Sequence, residues 1–295
     1  MKPSVVLYPT RLALLLGALA LSGCAALAPE PEGCASDVAV AELARRFSAA
    51  EPAINPPAGL SMAAAECSRD KLVRALSTSQ GRIVGYKAGL TNPAVQKRFN
   101  ASAPVRGNLF ERGLLADGAT VAAGFGARPL YEADLVVEVG SSAIHDARTP
   151  AEVLAQLRNV RPFIELPDLV VQDPGKLDGA GVTAINVGAR LGVLGSPLSA
   201  NDPRLLDALR DMTVRVRDAQ GTELAQGKGA AILEHPLNAV IWLAADLKRA
   251  GITLQAGDLL SLGSFTPLTP PRAGQSIRVV YGGLPGNPSV GVNFR

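Results

Sequence analysis

Two histidines, three cysteines and one tryptophan are spread over 295 residues, and aromatics make up only 4% of the chain. His145 and His235 stand far apart, and the cysteines do not pair with them in any zinc-ligand spacing, so a zinc centre is excluded. No cysteine shares a motif with a histidine, which removes thiol catalysis. Basic residues do not cluster, and with so few aromatics the chain offers nucleic acid no surface. Internal repeats and long low-complexity stretches are absent. The apolar run Leu12 to Leu21 (LALLLGALAL) has ten residues. That is short of the roughly 20 a helix needs to cross a ~30 Å hydrocarbon core.

What is present at the N-terminus is an export pattern. Lys2 and Arg11 are the only charges before residue 24. A basic start, a short apolar run and small closing residues predict a signal peptide over 1–23. The closing residues Leu21-Ser22-Gly23-Cys24 resemble the lipobox of bacterial lipoproteins, which implies lipidation of Cys24 and attachment to a membrane on the periplasmic side. Ala25, where Asp would favour inner-membrane retention, points to the outer membrane. Removal of 23 from 295 residues leaves 272, with 29 − 2 = 27 basic against 26 acidic side chains, a nearly neutral body. Cys34 and Cys67 then form an even pair in an oxidising compartment, which predicts a disulfide. It would close a loop of 32 residues, worth ~3–4 kcal/mol in the chain-entropy model.

The mature chain divides by texture. Residues 24–36 read as a Pro-containing tether. Residues 37–79 read as a helical region: Val38, Val40, Leu43 and Phe47 recur at helical spacing after Asp37 as N-cap, and a second helix covers 62–76. From 80 to 295 short β-type runs alternate with Gly and Pro. Strands are predicted at 82–86, 133–139, 169–171, 212–216, 259–262, 276–281 and 289–294. Helices are predicted at 150–159 and 236–249, the latter with Pro at its first turn and Lys-Arg at its end. Many strands in irregular order with few helices predict an α+β fold with a mixed sheet.

Three carboxylates stand out. Glu132 and Asp134, at i and i+2 on a strand, point to one face. Glu165 lies in the apolar segment Arg161-Pro162-Phe163-Ile164-Glu165-Leu166-Pro167. Carboxylates in apolar surroundings must be paired or bound to a metal, and three converging oxygen ligands suit Mg²⁺ or Mn²⁺. By spacing alone the Glu-x-Asp pair also fits a solvated strand face. Lys87 stands between glycines in Gly85-Tyr86-Lys87-Ala88-Gly89-Leu90-Thr91. His235 precedes a helix starting at Pro236 and reads as its cap, and Lys228 reads as a turn residue.

These marks, together with Gly107-x-Leu109-Phe110, His235-Pro236-Leu237-Asn238-Ala239, Trp242-Leu243-Ala244 and Gly257-Asp258, resemble a known family in their order. It is the 2-oxopent-4-enoate hydratase and 4-oxalocrotonate decarboxylase branch of the fumarylacetoacetate hydrolase superfamily. The resemblance covers about residues 60 to 290. It implies a mixed, twisted β-roll or sandwich with peripheral helices, forming a homo-oligomer. It implies a divalent metal held by Glu132, Asp134 and Glu165, with Lys87 as the active-site lysine and Glu132 beside it in catalysis. The implied reaction is hydration of a small 2-oxo or 2-hydroxydienoic acid; decarboxylation, hydrolysis of an acylpyruvate and a non-catalytic binding module are the alternatives. The chain departs from the branch in having Asp134 for Glu, and Ile185-Asn186-Val187-Gly188-Ala189-Arg190 in place of an acid-amide-x-Ser stretch. Asn186 and Arg190 are the substrate-binding candidates there, Arg190 as a bidentate partner for a substrate carboxylate.

Overall fold

A computed structural model describes Met1, Ser4 and residues 29–295. Cys24 and, apart from Met1 and Ser4, the expected signal segment lie outside the described residues. Ser36 opens helix α1 (Asp37–Ala49) by accepting from the Ala39 N–H at 3.3 Å, so the cap is one residue before the expected Asp37. Asp37 instead sits in the first turn, where its charge suits the helix dipole. Helix α2 (Met62–Gln80) runs on past Leu76, because nothing breaks it before Gly81. Cys34 and Cys67 are joined, with Cα atoms 5.7 Å apart, and the bond ties the entry of α1 to α2.

Strand β1 (Ile83–Gly89), helix α3 (Pro93–Arg98), and strands β2 (Val105–Phe110), β3 (Leu114–Ala116), β4 (Thr120–Val121) and β5 (Glu132–Val139) follow. The helix expected at 150–159 stops early as α4 (Pro150–Leu154), and the rest joins β6 (Leu157–Leu166). Pairing with β5 along its whole length decides this, since a strand half-formed by its partner overrides weak local helix preference. Then come α5 (Gly179–Ala184), β7 (Leu191–Leu194), β8 (Leu198–Ser199), α6 (Leu205–Asp211), β9 (Thr213–Asp218) and β10 (Glu223–Lys228). Helix α7 (Pro236–Arg249) and strands β11 (Leu259–Ser261), β12 (Ser276–Gly282) and β13 (Ser289–Phe294) complete the chain. The expected strand at 169–171 is only an isolated bridge from Val171 to Ala53.

The strands make two mixed sheets. One has eight strands in the order β2-β1-β11-β5-β6-β7-β3, with β8 on β6; the other has five, β10-β9-β12-β13-β4. The fold is α+β, as expected. Alternation along β5 sorts its two faces. Ala133, Leu135, Val137 and Val139 enter a core shared with β9, β12, β13 and the apolar face of α7. Glu132 and Asp134 are on the opposite parity. A second core gathers Phe47, Leu72 and Leu76 from α1 and α2 with Leu90, Phe99, Leu169, Val182 and Val187. The helical N-terminal region therefore packs into the strand-rich part. Tyr281 of β12 latches the sheets together: its buried hydroxyl accepts from the Phe163 N–H at 3.1 Å and lies against the carbonyls of Asp134 and Phe163.

Candidate active site

Between the two cores lies a cavity of about 340 Å³. Its polar floor is Lys87, Glu132 and Glu165, and its walls are mainly apolar: Leu90, Phe99, Leu169, Val182 and Phe265. Three strands place the floor. Lys87 is on β1, and Glu132 at the start of β5 is the register partner of Glu165 on β6. All are buried, Lys87 at 3% exposure and Glu165 at 2%. Lys87 Nζ donates to Glu165 Oε1 and, at 3.0 Å, to the Val187 carbonyl. The other Glu165 oxygen, Oε2, is buried with no hydrogen-bond partner.

Electrostatics follow from this crowding. Burial, and then the charge of Glu165, push the Glu132 carboxyl well above the ordinary carboxylate range; Lys87 pulls the other way. Burial and Glu165 push Asp134 up to about 8, although the Ser261 hydroxyl and the Leu135 N–H favour its ionised form. One buried ammonium faces three buried acids. An orphaned carboxylate oxygen and excess negative charge are what a cation would relieve, and all-oxygen donors suit a hard one. The residues present fit such an ion.

Asp134 differs from the expectation. It is fully buried but does not line the cavity. Its Oδ1 accepts from the N–H groups of Leu135, Leu262 and Gly263, and its Oδ2 accepts from the Ser261 hydroxyl at 2.5 Å. With one methylene fewer than Glu, the carboxylate stays close to its own strand and ties β5 to β11. The oxygens of Glu132, Asp134 and Glu165 do not all come within 4.8 Å of one another. Among the described residues only Glu30 with the bonded Cys34 and Cys67 meets that spacing, and its cysteines are spent in the disulfide.

Nor does the structure bring Asn186 or Arg190 to the cavity. Arg190 donates to the Phe47 carbonyl at 2.8 Å and to Asp168 at 3.2 Å, and stacks on the Phe47 ring. It anchors α1 and is not available to a substrate. Asp168 is 1% exposed and also accepts from the N–H groups of Ala127 and Arg128. Asn186 is occupied with Asn108. His235 accepts from the Leu237 N–H at 3.1 Å and caps α7. The wall residues were not legible in the sequence: Leu169 and Val182 carry no local signal beyond being apolar.

No family model matches the chain. Among curated proteins, 2-keto-4-pentenoate hydratase 1 of Dechloromonas aromatica is 33% identical over 205 residues, 69% of this chain and 75% of the relative. The chain belongs to the 2-oxopent-4-enoate hydratase and 4-oxalocrotonate decarboxylase branch of the fumarylacetoacetate hydrolase superfamily. Another relative of this branch member, the TodF product hydratase of Pseudomonas putida, is 32% identical over 203 residues, 69% of this chain and 74% of its own. Among solved structures, 4-oxalocrotonate decarboxylase from Pseudomonas putida G7, complexed with magnesium and adipate, superposes with a TM-score of 0.76. It is 25% identical, and the match covers 88% of this chain and 99% of that one. The branch members named here are enzymes.

Proposed function

We propose that this protein is a divalent-metal-dependent lyase that hydrates a small 2-oxo or 2-hydroxydienoic acid. The observation that carries the reading is the floor of the cavity: Lys87, Glu132 and Glu165 buried together, with one Glu165 oxygen unpartnered. Glu132 and Glu165 would hold Mg²⁺ or Mn²⁺ from the cavity side, while Asp134, taken up by its hydrogen bonds to β11 and the residues after it, would steady the strand beneath them. The ion would supply Lewis acidity toward the substrate's 2-oxo oxygen. Lys87 Nζ, an ammonium donor fixed at the floor, would hydrogen-bond that oxygen and stabilise the negative charge left on it when the enol proton is lost. The carbon chain of the substrate lies along Leu90, Phe99 and Leu169, which keep bulk water off the enol until the 4-position is attacked. The hydratase relatives, at about one-third identity, support this reaction class.

Decarboxylation is the second reading, supported by the magnesium and adipate complex of the decarboxylase neighbour. Hydrolysis of an acylpyruvate is weaker, since neither histidine lines the cavity. A non-catalytic module gives no reason to bury an unpartnered carboxylate oxygen.

Calorimetry with Mg²⁺ and ultraviolet assays on a 2-hydroxydienoate, with and without a terminal carboxylate, test the readings. Wild type is expected to bind Mg²⁺ and consume the monoacid, and Glu132→Ala and Glu165→Ala to bind at least about tenfold more weakly. Absence of Mg²⁺ binding sinks the metal site; binding without turnover of either acid leaves the binding module. We also propose that the chain is lipid-anchored through Cys24 on the periplasmic side and acts as a homo-oligomer. The residues Leu21-Ser22-Gly23-Cys24 support the anchor, and Cys24→Ser is expected to move the protein to the soluble fraction. Sedimentation velocity reads the oligomer.

A further inference from the structure

The backbone beside Lys87 is left-handed at three residues in a row: Asn186 (φ 56°), Val187 (φ 53°) and Gly188 (φ 64°). A β-branched residue such as Val187 is an outlier in that region and persists only where its neighbours over-determine it. Here the neighbour is Asn108 of β2. Its backbone N–H and its side-chain amide donate to Asn186 Oδ1 at 2.8 and 3.1 Å, and Asn186 Nδ2 donates back to the Asn108 carbonyl at 3.0 Å. Both side chains are buried, at 3% and 1% exposure.

Space for the turn is set by two residues of β1 and β2 that flank Lys87. A Cβ at Gly89 would sit 2.4 Å from Val187 Cγ1, and one at Gly107 would sit 2.8 Å from the Asn186 carbonyl oxygen. Gly107 is also the register partner of Lys87. The product of this construction is one contact: the Val187 carbonyl accepts from Lys87 Nζ at 3.0 Å. An ammonium has three donors. Glu165 takes one and Val187 a second, so the third is left for an oxygen in the cavity.

We propose that the Asn108–Asn186 pair is a positioning device that holds the Val187 carbonyl against Lys87, so that the lysine presents one donor to the substrate's 2-oxo oxygen. Asn186 thus acts through Lys87 and does not touch substrate. The inference rests on the lyase reading for its kinetic arms.

Three measurements test it. In Asn186→Ala, kcat is expected to fall by about 10- to 100-fold, the usual scale for a misplaced catalytic group. In a Lys87→Ala background the same change should alter the residual rate by less than about twofold, because coupled residues are not additive. An equal further loss there means a general structural role and overturns the device. Gly89→Ala should also lower kcat by driving Val187 aside, and adding Val187→Ala, which removes the clashing methyls but keeps the carbonyl, should restore most of it. Failure to restore counts against the device even if the asparagine variants do not fold. A crystal structure of Asn186→Ala reads the geometry without activity: the Val187 carbonyl should leave Lys87, and an unmoved contact overturns the proposal. Wild type without turnover would sink the lyase reading alone, whereas an active wild type with an undiminished Asn186→Ala sinks the device alone.

Discussion

Glu132 and Asp134 are two residues apart on one strand, yet their surroundings give them opposite roles in stability. Glu132 faces Glu165 across the β5–β6 ladder, and like charges directly opposite are destabilising. Asp134 is met by three backbone N–H groups and a hydroxyl. In protein treated with EDTA, Glu132→Gln is therefore expected to raise the melting temperature by about 2–4 °C, the shift that ~1 kcal/mol gives at this size. Asp134→Ala should lower it, since removing the carboxyl leaves three buried backbone N–H groups and a hydroxyl without their acceptor, at a cost of about 1–3 kcal/mol. The two acids also fix the sign of the pH dependence. A buried acid whose folded pKa is raised adds stability below the ordinary carboxylate range, and this is lost as pH rises through the raised value. Metal-free protein should thus lose stability as pH climbs through about 8, and Glu132→Gln should lose less. Equal melting curves for the two variants would contradict these assignments.

Among the elements, α7 shows how a helix end depends on one ring. His235 Nδ1 accepts from the Leu237 N–H, and Nε2 meets the Leu206 carbonyl at 2.9 Å. Both contacts are made by the neutral ring, protonated on Nε2. Burial, above all, lowers the pKa from its ordinary 6.5, and the Leu206 carbonyl opposes it. A depressed folded pKa means stability that is present above 6.5 and lost as pH falls through the lower folded value. Acidification adds a proton where the cap needs a lone pair, so melting temperature should drop from pH 7.5 to 5.5. His235→Asn, which keeps a side-chain acceptor at the cap, should lose about 1 kcal/mol or less at pH 7.5 and show a flatter pH profile. A wild-type profile as flat as the variant's would remove the cap from the account.

For the whole molecule, the disulfide is the long-range restraint on the N-terminal helices. Those helices supply Phe47, Leu72 and Leu76 to the core that forms one wall of the cavity. Reduction, or Cys34→Ser with Cys67→Ser, is expected to cost about 3–4 kcal/mol for a loop of sequence separation 33, measured by urea denaturation with and without reductant. An unchanged midpoint would show that packing of α1 and α2 alone holds this region.

The sequence by itself determined the elements whose chemistry is local. Pro236 at a first turn and Lys-Arg at the end place α7, alternation places β5, and the spacing Glu132-x-Asp134 puts two carboxylates on one parity. It also carried the family, through motifs read in order. Only the tertiary structure decided which groups meet. Glu165 joins Lys87 because β6 pairs with β5 and replaces an expected helix beyond Leu154. Asp134 does not line the cavity, its oxygens being met by the Ser261 hydroxyl and the N–H groups that β11 and the residues after it bring within reach, and Asn186 and Arg190 are claimed by Asn108 and Asp168 before a substrate could meet them. A hydrogen bond is satisfied by whichever partner the fold delivers at about 3 Å, and sequence separation does not record that distance.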